Sequence, residues 1–433
     1  MKDPLARPLT LPCGATLPNR LCKAAMTEGL ADPLMRATER HQRLYRAWSE
    51  GGAGLSITGN VMVDSHVIER PGNVAIDVTH PPSIDAEART RLRAWAAAGT
   101  AAGNALWMQI SHAGRQSARY ATQQPVGPSA VQLDLLGNYA RPRALREDEI
   151  FDLIRRFAQA AGIARDCGFT GVQVHGAHGY LISSFLSPVT NRRDDAWGGP
   201  LGHRARLLIE TVRAVRQTVG DDFPVSVKLN SDDFRKGGFS HEDCLAVVAR
   251  LNHERIDLLE ISGGTYEQPR LLGVAGRQAD AVEPRPSTQA REAYFLDYAA
   301  AIRRVATMPL MVTGGFRSRA GMEAALRGGD TDMIGIARPF CTDPDCARRL
   351  LRGEIDTLPA HEAGLHLARS GWLSPASPLM LFKVINVIGA QGWYYQQMDR
   401  LAVGRPPELG RGVLRSFLRH LWDELTRASK LQR

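Results

Sequence analysis

The sequence has few cysteines and pairs none of them. Six occur in 433 residues, at 13, 22, 167, 244, 341 and 346, and none forms Cys-x-x-Cys. That excludes a disulfide framework and a cysteine-based zinc site, and it suits free thiols in a reducing compartment. No apolar run approaches the roughly 20 residues of a membrane-spanning helix. The first 17 residues lack the apolar core of a secretory signal and carry Asp3, Pro4, Pro8 and Pro12. A cytoplasmic chain without a transmembrane segment is therefore expected. No Gly-x-Gly-x-x-Gly opens a helix-like stretch, which argues against a Rossmann cofactor site. No aromatic-plus-basic recognition motif accompanies the net charge of +9, of which residues 411–433 supply +4 through six Lys/Arg against two Asp/Glu. Nucleic acid is not an expected partner.

What is present is a regular alternation. The spacing predicts strands near 20–25, 55–60, 105–111, 171–175, 225–229, 257–262, 309–313 and 332–336. Helices are predicted over about 38–50, 84–102, 148–167, 204–219, 241–254, 288–305, 318–328 and 345–352. Ser240 and Asp243 have the spacing of a capping box at the fifth helix. Alternating strands and helices argue for a parallel sheet, and eight units argue for closure into a (β/α)8 barrel of about 250 residues plus insertions. Residues 9–17 read as a β-hairpin plugging the barrel floor. The expected organisation is a barrel over 1–352, with the N-terminal β-hairpin, and a helical C-terminal extension over 353–433.

Residues 171–199 carry the densest chemistry. Val172 and Val174 point to one side of a strand, Gln173 and His175 to the other, and His178 and Tyr180 follow just past its carboxyl end. In an α/β barrel that end of the strands holds the active site. A pair of ordinary loop histidines or zinc ligands is the plainer reading, and no third ligand cluster with zinc spacing supports the latter. No metal is expected. The stretch HGAHGYLISSFLSP, followed by Asn191, Arg193, Asp195, Gly198 and Gly199, resembles the signature of the old yellow enzymes, the NADH:flavin oxidoreductases that include FMN-dependent ene-reductases. The resemblance covers roughly residues 8–350.

The resemblance implies non-covalent FMN, NADH or NADPH as reductant, and a small enone-type substrate. It assigns His175 and His178 to the substrate oxygen and Tyr180 to proton donation. It places the backbone of Ala25 and Met26, the Thr27 hydroxyl and Asn60 at the flavin, with Gln109 and Lys228 at its pyrimidine side. Thr27 is expected to donate to flavin O4. Gly314, Gly315, Ala337 and Arg338 fall in the loops after strands seven and eight, where barrels commonly bind phosphate. Larger relatives carry a cysteine-rich iron–sulfur motif after the barrel; residues 353–368 here contain no cysteine, so no iron–sulfur cluster is expected. Lys228 lies on the polar face of its strand and needs an anionic partner if it points inward, either reduced flavin or an interior carboxylate. Two alternatives remain open: demethylation or other reductive chemistry on the same scaffold, and a flavin-free lyase using Lys228 as a Schiff-base amine.

Arg193 and Asp195 are expected to pair and pin their loop. In the extension, 379–388 is apolar but too short to span a bilayer. Leu414, Phe417, Leu418, Leu421, Trp422 and Leu425 share one stripe of a helix over 413–428. That stripe is expected to pack on the barrel or on a second copy in a homo-oligomer. A lid over the flavin and attachment to an anionic membrane surface are the sharper alternatives.

Overall fold

A computed structural model describes residues 3–432 apart from 136 and 265–294. Eight parallel strands close into a barrel: β1 Leu21–Lys23, β2 Leu55–Ile57, β3 Ala105–Ser111, β4 Gly171–Gly176, β5 Val225–Asn230, β6 Leu258–Ser262, β7 Leu310–Thr313 and β8 Met333–Ile336. Each pairs with its sequence neighbours, β8 pairs with β1, and β3 with β4 completes the ring. The helices are α1 Glu39–Glu50, α2 Ala86–Gly99, α3 Glu147–Asp166, α4 Arg206–Val219, α5 His241–Leu251, α6 Leu296–Arg303, α7 Arg319–Arg327 and α8 Cys346–Leu351. The extension adds α9 Met380–Leu401 and α10 Val413–Ala428. The first part of the predicted sixth helix, 288–294, lies outside the described residues.

The strands alternate as a barrel requires. Val172, Val174, Val225, Val227, Leu259, Ile261, Val312 and Ile334 are buried in the large core beneath the helices. Each such side chain contributes about 1.5–3 kcal/mol by leaving water. The inward positions change character with height. At the floor, Cys22, Leu55, Ile57, Trp107, Leu258, Met311 and Met333 pack with Leu9, Leu11 and Leu17. The last three belong to the antiparallel hairpin Leu9–Thr10 with Thr16–Leu17, which is the expected plug. Gly171 faces this layer because a Cβ there would sit 2.5 Å from the Trp107 ring. One layer up, Gln109 donates to Gln173 (2.7 Å) and Gln173 donates to Glu260 (2.8 Å).

Helix starts follow local chemistry. Asp85 accepts from Ala88 N–H (2.7 Å) and Ser240 from Asp243 N–H (3.2 Å), satisfying first-turn donors. The Asp243 carboxylate is held by Arg204 at 3.1 Å, so it ties α5 to the segment before α4. Arg193 donates to Asp195 (3.0 Å) and to Leu145 O (2.6 Å), so this pair pins its loop as expected.

The extension forms its predicted helix but does not lay the apolar stripe on the barrel. α10 exists over the predicted range, but Leu414, Leu418, Leu421, Trp422 and Leu425 are exposed, Trp422 at 67%. Its buried residues are Val413, Ser416 and Glu424. The stripe does not pack on the barrel, because charge docks this helix. Glu424 pairs with buried Arg70, whose guanidinium lies 3.8 Å from the Tyr395 ring centroid, and Tyr120 donates to Glu424 (3.2 Å). Asp399 of α9 pairs with Arg40 (2.8 Å) and Arg427 (3.3 Å). Gly389 and Gly392 let the two helices cross closely, since a Cβ at Gly389 would lie 2.6 Å from Val413. At the other end of α9, Leu379, Met380 and Leu381 are also exposed. Among the described residues no helix is long and apolar enough to cross a membrane.

Candidate active site

The carboxyl ends of the strands gather the predicted residues. His175 ends β4, and its ring centroid lies 5.3 Å from His178 and 4.8 Å from Tyr180. His178 adopts the left-handed backbone conformation (φ 62°), which strains a residue with a Cβ. Its N–H donates to Asn230 Oδ1 at the end of β5 (3.1 Å), and its Nε2 lies 2.7 Å from Ser262 Oγ at the end of β6. Burial, the His178 ring and the Lys228 charge hold His175 well below the usual imidazole value. Burial and Lys228 do the same to His178. Both rings are neutral at physiological pH. His175 Nδ1 accepts from Ala177 N–H (3.2 Å), so its proton resides on Nε2, available to an oxygen.

Lys228 has a protein counter-ion. Its Nζ lies 2.9 Å from Glu260 Oε1, both side chains being buried. The interior carboxylate is thus the partner present, and Gln173 links it to Gln109. Gln109 is buried, on the Gln173 side of β3.

The first two strands supply the opposite wall. Ala25, Met26 and Thr27 follow β1, and Asn60 follows β2. The Thr27 hydroxyl donates to Glu69 Oε2 (2.7 Å). Asn60 Nδ2 donates to the same oxygen (2.8 Å), and Tyr180 Oη to Glu69 Oε1 (2.8 Å). Glu69 was missed in the sequence. It stands alone in VMVDSHVIERPGNV, and only its position between buried Ile68 and buried Arg70 marks it.

At the far side, Gly314 (φ 117°) and Gly315 (φ 88°) follow β7, where a turn of this kind needs glycine. Ala337 precedes the short turn Arg338–Cys341 after β8. Arg338 is half-exposed and lies 3.4 Å from Glu362, which also pairs with Arg317 and accepts from Tyr394 Oη (2.6 Å). Burial alone would raise the Glu362 carboxyl; the Tyr394 bond and the Arg317 charge overcome it and hold the group at about 2. The Gly314–Gly315 turn and the turn after Ala337, beside two guanidinium groups, suit a phosphate. Asn60 Oδ1 and Thr313 Oγ1 are buried with no hydrogen-bond partner among the described residues, as expected where a heteroaromatic ring bearing N–H and carbonyl groups docks. These donor and acceptor sets fit FMN.

Comparison with known proteins agrees. Residues 4–356 match the family model described as NADH:flavin oxidoreductase / NADH oxidase. The chain is 36% identical to the NADH-dependent flavin oxidoreductase iccE of Talaromyces variabilis, covering 92% of this chain and 98% of that one. It is 39% identical to the NADH-dependent flavin oxidoreductase iliE of Neonectria sp. (strain DH2), covering 78% of this chain but 46% of that protein. The chain thus spans about half the length of that relative. Among solved structures, a 2-naphthoyl-CoA reductase in complex with 2-naphthoyl-CoA superposes with a TM-score of 0.73 at 26% identity, covering 83% of this chain and 54% of that one. The old yellow enzyme homologue from Zymomonas mobilis superposes with a TM-score of 0.68 at 26% identity, covering 82% and 94%.

Proposed function

The chain belongs to the NADH:flavin oxidoreductase / NADH oxidase family, and on that premise we propose that it reduces activated C=C bonds of enone or nitroalkene substrates, with FMN as cofactor and NADH as reductant. The observation that carries this reading is the meeting of two neutral imidazoles and a phenol at the end of β4. Arg338 with the Gly314–Gly315 turn would hold the FMN phosphate. Gln109 and Lys228 would face the pyrimidine side, and the Ala25–Thr27 backbone with Asn60 the opposite edge. Bound there and reduced by NADH, FMN would supply the hydride that the substrate β-carbon accepts.

The protein residues do the rest. His175 Nε2–H and the His178 ring hydrogen-bond the carbonyl or nitro oxygen, and stabilise the negative charge that grows on it. Their neutrality matters, because a neutral N–H polarises the oxygen without delivering its proton there. Tyr180 is the proton source for the α-carbon. The closed apolar floor keeps water out from below. Lys228 is unsuited to Schiff-base chemistry while Glu260 holds it as an ammonium, since attack needs a free amine lone pair.

The test is His178→Ala in FMN-saturated protein. The flavin should stay bound. The long-wavelength charge-transfer band formed with a simple phenol should weaken, and enone reduction should fall by on the order of 10²–10³, the usual loss of one oxyanion donor. Unchanged kinetics would remove the histidine pair from the mechanism.

A further inference from the structure

One carboxylate governs the two residues placed at the pyrimidine side of FMN. Glu260 Oε1 lies 2.9 Å from Lys228 Nζ, and both side chains are buried. Glu260 Oε2 accepts from Gln173 Nε2 (2.8 Å), and Gln173 Oε1 accepts from Gln109 Nε2 (2.7 Å). A carboxylate only accepts, so Gln173 must turn its NH2 to Glu260 and its carbonyl to Gln109. Gln109 must then donate. The sense of both amides is therefore set from Glu260.

The barrel builds this chain through its register. β5 on β6 puts Lys228 opposite Glu260, and β3 on β4 puts Gln109 opposite Gln173. Taking two charges out of water is costly, and a well-packed apolar pair of similar size often serves stability as well or better. Fold stability thus gives no reason for an ion pair inside the barrel. The cofactor supplies one. Hydride from NADH, which leaves as NAD+, brings FMN an electron pair and one unit of negative charge, shared along the pyrimidine edge. A cation beside that edge favours the reduced form, and an anion opposes it.

We propose that Glu260 is a positioning residue that sets the reduction potential of bound FMN. It holds Lys228 in place and offsets its charge, so that the reduced cofactor remains a strong hydride donor. This rests on the placement of FMN in the proposed function. Lys228 alone would over-stabilise the reduced ring. With Glu260 beside it, the pair is net neutral and presents a dipole rather than a full charge. The neighbouring groups leave this pair in control. Burial, the His178 ring and Lys228 keep His175 neutral, and burial and Lys228 do the same to His178. Lys23, the other buried lysine among the described residues, donates to Ile57 O (2.7 Å) and lies 4.2 Å from the Trp48 ring centroid, so it sits under α1.

The experiment measures the potential of FMN in wild type, Glu260→Gln, Lys228→Met and the double variant. Each is saturated with FMN and equilibrated with a reference dye during slow reduction. Glu260→Gln should shift the ratio of reduced to oxidised flavin toward reduced by on the order of tenfold, as expected for one unit charge in a partly screened interior. For a two-electron couple that is a rise of about 30 mV. Lys228→Met should shift the ratio the opposite way, and the double variant, net neutral again, should return toward wild type. A merely structural role would move all three in one direction. An unchanged or lowered potential in Glu260→Gln would overturn the proposal, and that variant decides alone if Lys228→Met does not fold. If Glu260→Gln does not hold FMN, the double variant against Lys228→Met reads the same charge and should show the same rise. A protein that shows these shifts yet reduces no enone would lose the alkene reading and keep the role of Glu260. Wild type that took up no FMN would overturn the FMN placement and this role together.

Discussion

Helices α4 and α10 are both amphipathic and both dock on the barrel, but they turn opposite faces to it. α4 buries Leu207, Leu208, Val212, Val215 and Val219 and exposes Arg213 and Gln217. α10 buries Ser416 and Glu424 and exposes Leu414, Leu418, Leu421, Trp422 and Leu425. The first is held by apolar area, the second by a few compensated charges and a close glycine crossing. A hydrophobic stripe therefore reports that a helix has two faces, and not which face meets the core.

The largest effect that would test this contrast is expected at Glu424. Glu424→Leu strands the buried Arg70 guanidinium and should cost about 3–5 kcal/mol, whereas replacing both partners with apolar residues should recover most of it. Denaturant unfolding of the two variants measures the difference, and equal losses would refute a charge-docked helix. Leu208→Ala should cost about 2–5 kcal/mol through the cavity left under α4. Acid should act at α10 as well as at the buried His175 and His178. Burial, then Arg70, lowers His420 to about 4 from its ordinary 6.5. The unfolded chain thus binds more protons within that window. Stability is retained above pH 6.5 and lost as pH falls toward 4, by up to about 3 kcal/mol. A His420→Leu variant should show a smaller loss between those pH values. The smallest effect belongs to Leu418→Ala, expected within about 0.5 kcal/mol. A cost as large as that of Leu208→Ala would mean that the exposed stripe is covered in solution.

Much of the fold was legible because barrel strands are short, alternate strictly and are punctuated by helices. β3 and β4 fall within a residue of their predicted spans. The clustering of His175, His178 and Tyr180 was legible from their position past β4 and from the resemblance. Other site features were not. Glu69 lies in an irregular loop, where no periodicity reveals that three donors converge on it. The partner of Lys228 needed the register of β5 against β6, which sets Lys228 beside Glu260. The docking of α10 needed Arg70, 354 residues away from Glu424.

That last separation has a consequence for synthesis. At about 5–20 residues per second, the loop bearing Arg70 leaves the ribosome roughly 20–70 s before Glu424 is made. The last barrel strand, ending at Ile336, is made only about 4–18 s before Glu424. During that interval the Arg70 guanidinium waits without its Glu424 counter-ion, beside the carboxylate that accepts from Tyr180. A transcript stopped anywhere between α8 and Glu424 would therefore encode all eight strands while leaving this clamp unset.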